Sequence, residues 1–501
     1  MHLSGQSEWR YHPEPAVANQ GAGSEVQLSE PLRTPPRGLG ILLLVGPAFV
    51  WSAEYIGTGE VLLATRAGAV LGTAILWAVG LGILLKYWIG LAGARYTACT
   101  GEGMMDLFDR VPGPRHWAVW IVLVVQLFAG ALSIGAVATA AGAFLNKLVP
   151  ALPGSVAGWL VAGFAFLVAW TGAFDLLKGV MSFFVLLIVG GALYTAFHVF
   201  PGAGVLAQSL TFRLPEVPAW ALAQGVPANP WREIMPLLGW GAGGFASQVW
   251  YTYWVLGAGY GQAAGRGYGE PADAPALGRM TRASAEKVKG WCHVVYADAT
   301  IALVIGVVVT GAFVLAGSGV LRAQQLIPKG DGVELAGNIA AIFSTQWGAV
   351  GGTVFLVAAV AALVGTLLGQ LAGWPRLLAD AFRLAVPAVH RRFDWRTQFR
   401  FFLVLFFCTN MVVVYVMQKN PIGIVRTAAV LDGILLTALQ ALWVGLGLYV
   451  VLPRLLSKEA WEVLRPSAVF AVGLAAGAVV FGWLTVTEAI PQILAAFGGA
   501  H

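Results

Sequence analysis

The chain has 501 residues, 58% of them hydrophobic and only 11% charged, with a mean hydropathy of +0.76. Soluble domains carry roughly 25% charged residues, so a soluble enzyme and a disordered scaffold are both excluded. The net charge of +6 is small for this length, and the three cysteines (Cys99, Cys292 and Cys408) have neither disulfide-framework nor metal-type spacing. Gly at 64 and Trp at 20 are both in excess, and glycine is tolerated best where helices pack closely in lipid.

In chain order, residues 1–37 are polar and read as a cytoplasmic tail with no apolar core of a cleaved signal. Apolar stretches of ~20 residues read as membrane helices. Eleven are expected, centred on 40–66, 71–94, 117–145, 154–172, 177–199, 235–257, 292–316, 348–373, 399–417, 423–450 and 468–489. The loops 201–234 and 318–346 are long enough for short surface helices. With the N-terminus inside, 21 Lys and Arg fall on the inner side and 8 on the outer. This predicts a multi-pass protein of the cell inner (plasma) membrane, with its C-terminus outside. The Arg-rich 376–400 loop reads as part of that topology signal, so no nucleic-acid partner is expected.

Two spans contain what a lipid-facing helix avoids. Span 1 carries Gly57-Thr58-Gly59 between Glu54 and Glu60, and span 6 carries Gly239, Gly241, Gly243 and Gly244 within six residues. Irregular backbone at membrane depth is tolerated only where it is buried in protein or lines a wet cavity. Broken helices in corresponding positions of two halves point to a transport site at the midplane. The predicted fold is therefore all-α and polytopic: 38–199 as a first five-helix repeat, 200–234 as an extracellular loop, 235–455 as a second, inverted repeat, and 466–501 as span 11 with a tail.

The stretch GPAFVWSAEYIGTGEVLLATRAGAVLGTAILWA (46–78) and the span-8 stretch VGTLLGQLAGWPRLLADAF (364–382) resemble the Nramp (natural resistance-associated macrophage protein) transporters. That resemblance implies a LeuT-type fold of 5+5 inverted repeats with broken helices 1 and 6. The family's Asp-Pro-Gly-Asn metal motif aligns with Gly57-Thr58-Gly59-Glu60, and its sixth-helix Met-Pro-His has no counterpart in GAGGFASQVW (241–250). No histidine occurs between 199 and 292.

These replacements lead to the expectation of a neutral polar solute, most plausibly a monosaccharide such as glucose, carried by alternating access without a cofactor. Carboxylates and amides would engage hydroxyls while aromatic faces cover the ring. The expected substrate-binding residues are Trp51, Gly57, Thr58, Gly59, Glu60, Gly243, Gly244, Ser247, Gln248, Trp250, Tyr251 and Gln370. Glu54 and Asp298 are the proton-coupling candidates. The resemblance places Na⁺ coupling on paired eighth-helix hydroxyls; Thr366 stands alone there, so H⁺ is expected before Na⁺. The rival reading is a divalent metal ion, Mg²⁺ before Mn²⁺ or Fe²⁺, held by Glu60 and Thr58 with backbone carbonyls. Lys86, Arg426, Asp432 and the Asp175/Lys178 pair are further charges in or beside the spans; Lys86 is expected to serve structure, by snorkelling.

Overall fold

The computed structural model describes residues 33–36, 38, 40–41, 46–171, 186–187, 189–209, 211–328, 332–417, 421–492 and 494. The expected tail, apart from 33–36, and the Asp175/Lys178 pair lie outside the described residues. Among those described, the regular structure is helical, with no β-strand. Seven helical stretches are long and apolar enough to cross a membrane: Pro47–Thr100, Trp117–Leu148, Arg282–Arg322, Trp347–Ala385, Trp395–Val414, Val425–Leu455 and Ala468–Gln492. The first holds spans 1 and 2 together. The shorter apolar helix Gly154–Trp170 corresponds to span 4, residues 189–198 give the end of span 5, and span 6 is two half-helices. Every expected span thus has helical residues in its place.

Span 1 begins with Pro47 at the first turn of helix Pro47–Tyr55, where its missing N–H costs nothing. The helix stops at Ile56 (φ −72, ψ 83) and Gly57, and resumes as a π-helical segment Thr58–Ala64 followed by Thr65–Leu71. Glycine is required at position 57 because a Cβ there would lie 2.1 Å from Thr366 Oγ1 of span 8. Span 6 consists of Trp231–Trp240 and Phe245–Ala258, separated by a turn with left-handed backbone at Ala242 (φ 55) and Gly243 (φ 84).

Packing divides the spans into two groups. Spans 1, 2, 6 and 7 pack on one another; spans 3, 4, 8 and 9 form a second set. Span 10 lies against span 3 and the first half of span 6, and span 11 against span 10. Both broken spans border span 8, so their interruptions lie where the two groups meet. Buried ion pairs tie the elements at opposite ends of span 2. At one end Arg66 forks onto Glu233 at 2.9 and 3.0 Å, with Arg426 at 3.3 Å from the same carboxylate. At the other, Arg383 meets Asp106 at 2.8 Å and Asp380 at 3.3 Å.

Spans 6 and 10 approach one another closely through their backbones. A Cβ on Gly433 would meet the Gly239 carbonyl oxygen at 2.2 Å, whereas one on Gly311 would meet nothing within 4 Å. Gly433→Ala is therefore expected to destabilise the protein by about 1–3 kcal/mol through overpacking, and Gly311→Ala to leave it unchanged. Thermal unfolding of the two variants in detergent checks this; equal melting temperatures would contradict the close packing.

Candidate functional site

Interrupting span 6 exposes backbone groups that no water can satisfy inside a bilayer. Three ionisable side chains from three other spans take them up. Glu60 Oε1 accepts from the Ala242 N–H at 2.9 Å and from the Thr310 hydroxyl at 3.2 Å. Asp432 of span 10 accepts from the Ala246 N–H at 3.0 Å, in the first turn of Phe245–Ala258, and from Trp240 Nε1 at 3.0 Å. A carboxylate there suits the positive end of the half-helix dipole. Lys86 of span 2 donates to the carbonyls of Leu238, Gly239, Gly241 and Gly243 at 2.9, 3.2, 2.5 and 2.7 Å, at the negative end of the other half-helix. It is only 1% exposed and does not snorkel. Gly244 admits Asp432 because it has no side chain: a Cβ would sit 2.0 Å from Oδ2.

Beside the turn lies a cavity of ≈ 20 Å³, space for one or two waters at roughly 10–15 Å³ each. Of the residues expected from sequence, Glu54, Thr58, Gly59, Gly243, Gly244, Ser247, Trp250 and Gln370 line it. Asp432, Thr366, Trp240, Trp374 and Tyr55 complete the wall. Ser247 donates to Glu54 at 2.7 Å and accepts from Trp51 Nε1 at 2.8 Å, which fixes the orientation of the Glu54 carboxyl. Thr366 Oγ1, Gln370 Oε1 and Trp250 Nε1 are buried without a hydrogen-bond partner.

Other expected residues lie elsewhere. Gly57 forms the span-1 break against Thr366. Glu60 is spent on span 6, with Oε2 buried and unpartnered. Gln248, also unpartnered, packs toward Gly90 and Trp51. Tyr251 stacks on Trp51 at 4.3 Å and donates to Asp298 at 2.7 Å, while Asp298 also accepts from the Gly46 N–H at 3.1 Å. Asp298 therefore ties the start of span 1 to spans 6 and 7.

From sequence, Asp432 is a charge within span 10, six residues from Arg426 and without an identified partner. Arg426 instead pairs with Glu233, which leaves Asp432 to span 6. The available signal was a carboxylate within an apolar span, which by default marks function. Trp374 carried no comparable signal.

Residues 48–226 match the family described as natural resistance-associated macrophage protein-like. The chain is 29% identical over 199 residues to the divalent metal cation transporter MntH of Pectobacterium carotovorum, and 28% identical over 208 residues to that of Yersinia enterocolitica. Each match takes in 39% of this chain and 44% of the relative, so the chain spans less than half the length of these curated relatives. In structure it is similar to a variant of the Eremococcus coleocola manganese transporter, with TM-score 0.59 and 15% identity, over 93% of this chain and 90% of that one. It is also similar to Mhp1, a nucleobase-cation-symport-1 family transporter, with TM-score 0.51 and 14% identity, over 89% and 93% of the two chains.

These findings overturn the expectation of a neutral organic solute: the relatives are named for divalent metal cations, not for sugars. The structure supplies the physical reasons. In this conformation the cavity has room for a water or two. The aromatic faces counted for a sugar ring cover one another, Trp51 on Tyr251 and Trp250 edge-on against Trp374 at 4.8 Å. The monosaccharide and its sugar-binding roles are withdrawn. Over residues 48–226 the chain is distantly similar to the natural resistance-associated macrophage protein family, and its described residues form a helical, multi-pass membrane protein with the LeuT-type fold.

Proposed function

We propose that this protein is a secondary transporter of a divalent metal cation and that the cavity between the two breaks receives the ion. The observation that carries this reading is the donor set: the Glu54 and Asp432 carboxylates share one wall with the unpartnered Thr366 hydroxyl and Gln370 amide oxygen. The set is all oxygen, without thioether or imidazole, and oxygen donors suit Mg²⁺ and Mn²⁺. Among the described residues no three His, Cys, Asp or Glu side chains group to hold a metal. That fits an ion that keeps part of its water, as Mg²⁺ does when held by one or two carboxylates. The matches to divalent metal cation transporters support the same class.

Transport then follows from the architecture. Spans 1, 2, 6 and 7 rock against spans 3, 4, 8 and 9, opening the cavity to each side in turn. Glu54 lies in that cavity, so protonation there would compete with the metal, and H⁺ is the preferred coupling ion. The positive-inside bias places the N-terminus in the cytoplasm and the C-terminus outside an inner membrane.

Reconstituted in liposomes, the protein is expected to move Mn²⁺ and Mg²⁺ down an imposed gradient. Glu54→Gln should lower the initial rate by about tenfold or more, and His198→Gln, at an exposed position, should not. A wild-type protein that moves neither ion would contradict the reading, as would a Glu54→Gln variant with unchanged flux. For orientation, protease added to intact spheroplasts should remove a tag fused after His501 and leave one fused before Met1 until lysis. The opposite pattern would reverse the assignment.

A further inference from the structure

One buried charge beside the proposed cargo site does not line its cavity. Lys86 comes from mid-helix in Leu76–Thr100 and is 1% exposed. Its ammonium contacts carbonyls rather than carboxylates, at distances from 2.5 to 3.2 Å. An ammonium has three protons to donate, so four carbonyls closing on it form more of a coordination shell than a set of paired hydrogen bonds. The carbonyls come from the last turn of Trp231–Trp240 and from the turn beyond it, where the half-helix dipole is negative. Rings of backbone carbonyls that replace a hydration shell are how proteins hold monovalent cations at membrane depth.

We propose that the carbonyls of Leu238, Gly239, Gly241 and Gly243 form a monovalent-cation site that this chain fills permanently with the ammonium of Lys86. Lys86 is thus a positioning residue: it holds the span-6 turn in the shape that presents Gly243 and Gly244 to the cavity. With the site already filled by a tethered ion, free Na⁺ has no place there, and the folded state is indifferent to Na⁺. Removing the side chain leaves a shell of buried carbonyls with no donor, which an external monovalent cation can enter. Lys86→Ala retains Cβ, so n-propylammonium replaces the missing atoms. The site is built from the span-6 geometry alone and is independent of what the protein carries.

The experiment is thermal unfolding of wild type and Lys86→Ala in detergent, in matched chloride salts of propylammonium, Na⁺ and tetramethylammonium. The expected result is that Lys86→Ala melts several degrees below wild type in tetramethylammonium and regains at least half of the loss in propylammonium. Wild type should melt alike in Na⁺ and tetramethylammonium. A selective gain of Lys86→Ala in Na⁺ would also support the site, since it would show a bare ion entering the shell. The proposal is overturned if Lys86→Ala melts like wild type in every salt, if propylammonium helps it no more than it helps wild type, or if Na⁺ specifically stabilises wild type. Should the variant be recoverable only when extracted in propylammonium, that is the rescue; failure to recover it there as well counts against the proposal.

Discussion

The interrupted sixth span is the constraint on which the rest of this structure depends. A break at membrane depth strands donors and acceptors that lipid cannot satisfy, and side chains from three other spans meet several of the stranded groups here. Glu60 reaches it from span 1, Lys86 from span 2 and Asp432 from span 10. Three ionisable groups inside an apolar bundle are expensive in isolation. Around this turn they face helix ends and free backbone groups of complementary sign. The glycines follow from the same requirement: Gly243 supplies positive φ, and Gly244 lets a carboxylate approach the backbone closely.

The arrangement divides the polar residues into two sets. Glu60 and Lys86 hold the turn from outside the cavity, while Glu54, Thr366 and Gln370 face into it. Asp432 belongs to both, because it anchors the second half-helix of span 6 and lines the wall. Under the proposed alternating access, a substrate that draws on Asp432 would act directly on span 6, one of the elements that move. The Ser247 hydroxyl links the opposite side in the same way, joining Glu54 of span 1 to span 6.

Much of the architecture was legible in the sequence. Apolar segment length marked the spans, glycines between two carboxylates marked the break in span 1, and four clustered glycines marked that in span 6. The site was only partly legible. Periodicity says that Glu54 and Glu60 lie about 600° apart at ~100° per residue, hence on different faces. It does not say that Glu54 meets the cavity while Glu60 turns to the Ala242 amide. Partners distant in sequence were out of reach: Asp432 and Ala246, or Lys86 and Gly243, are brought together only by packing. The reading of a neutral solute failed because it equated loss of the family's metal motif with loss of metal chemistry. Carboxylates on different spans can provide oxygen donors at one point without any local motif, and stacked tryptophans can serve packing alone.

The proposed transport site holds a divalent cation between the two breaks, against Glu54 and Asp432. Locating Mn²⁺ by anomalous scattering in crystals of the protein grown with that ion tests it most directly. One strong peak is expected within the cavity, in contact with the Glu54 or Asp432 carboxylate or reaching it through a bound water. A cavity without a peak, with Mn²⁺ found only at surface carboxylates, would contradict it.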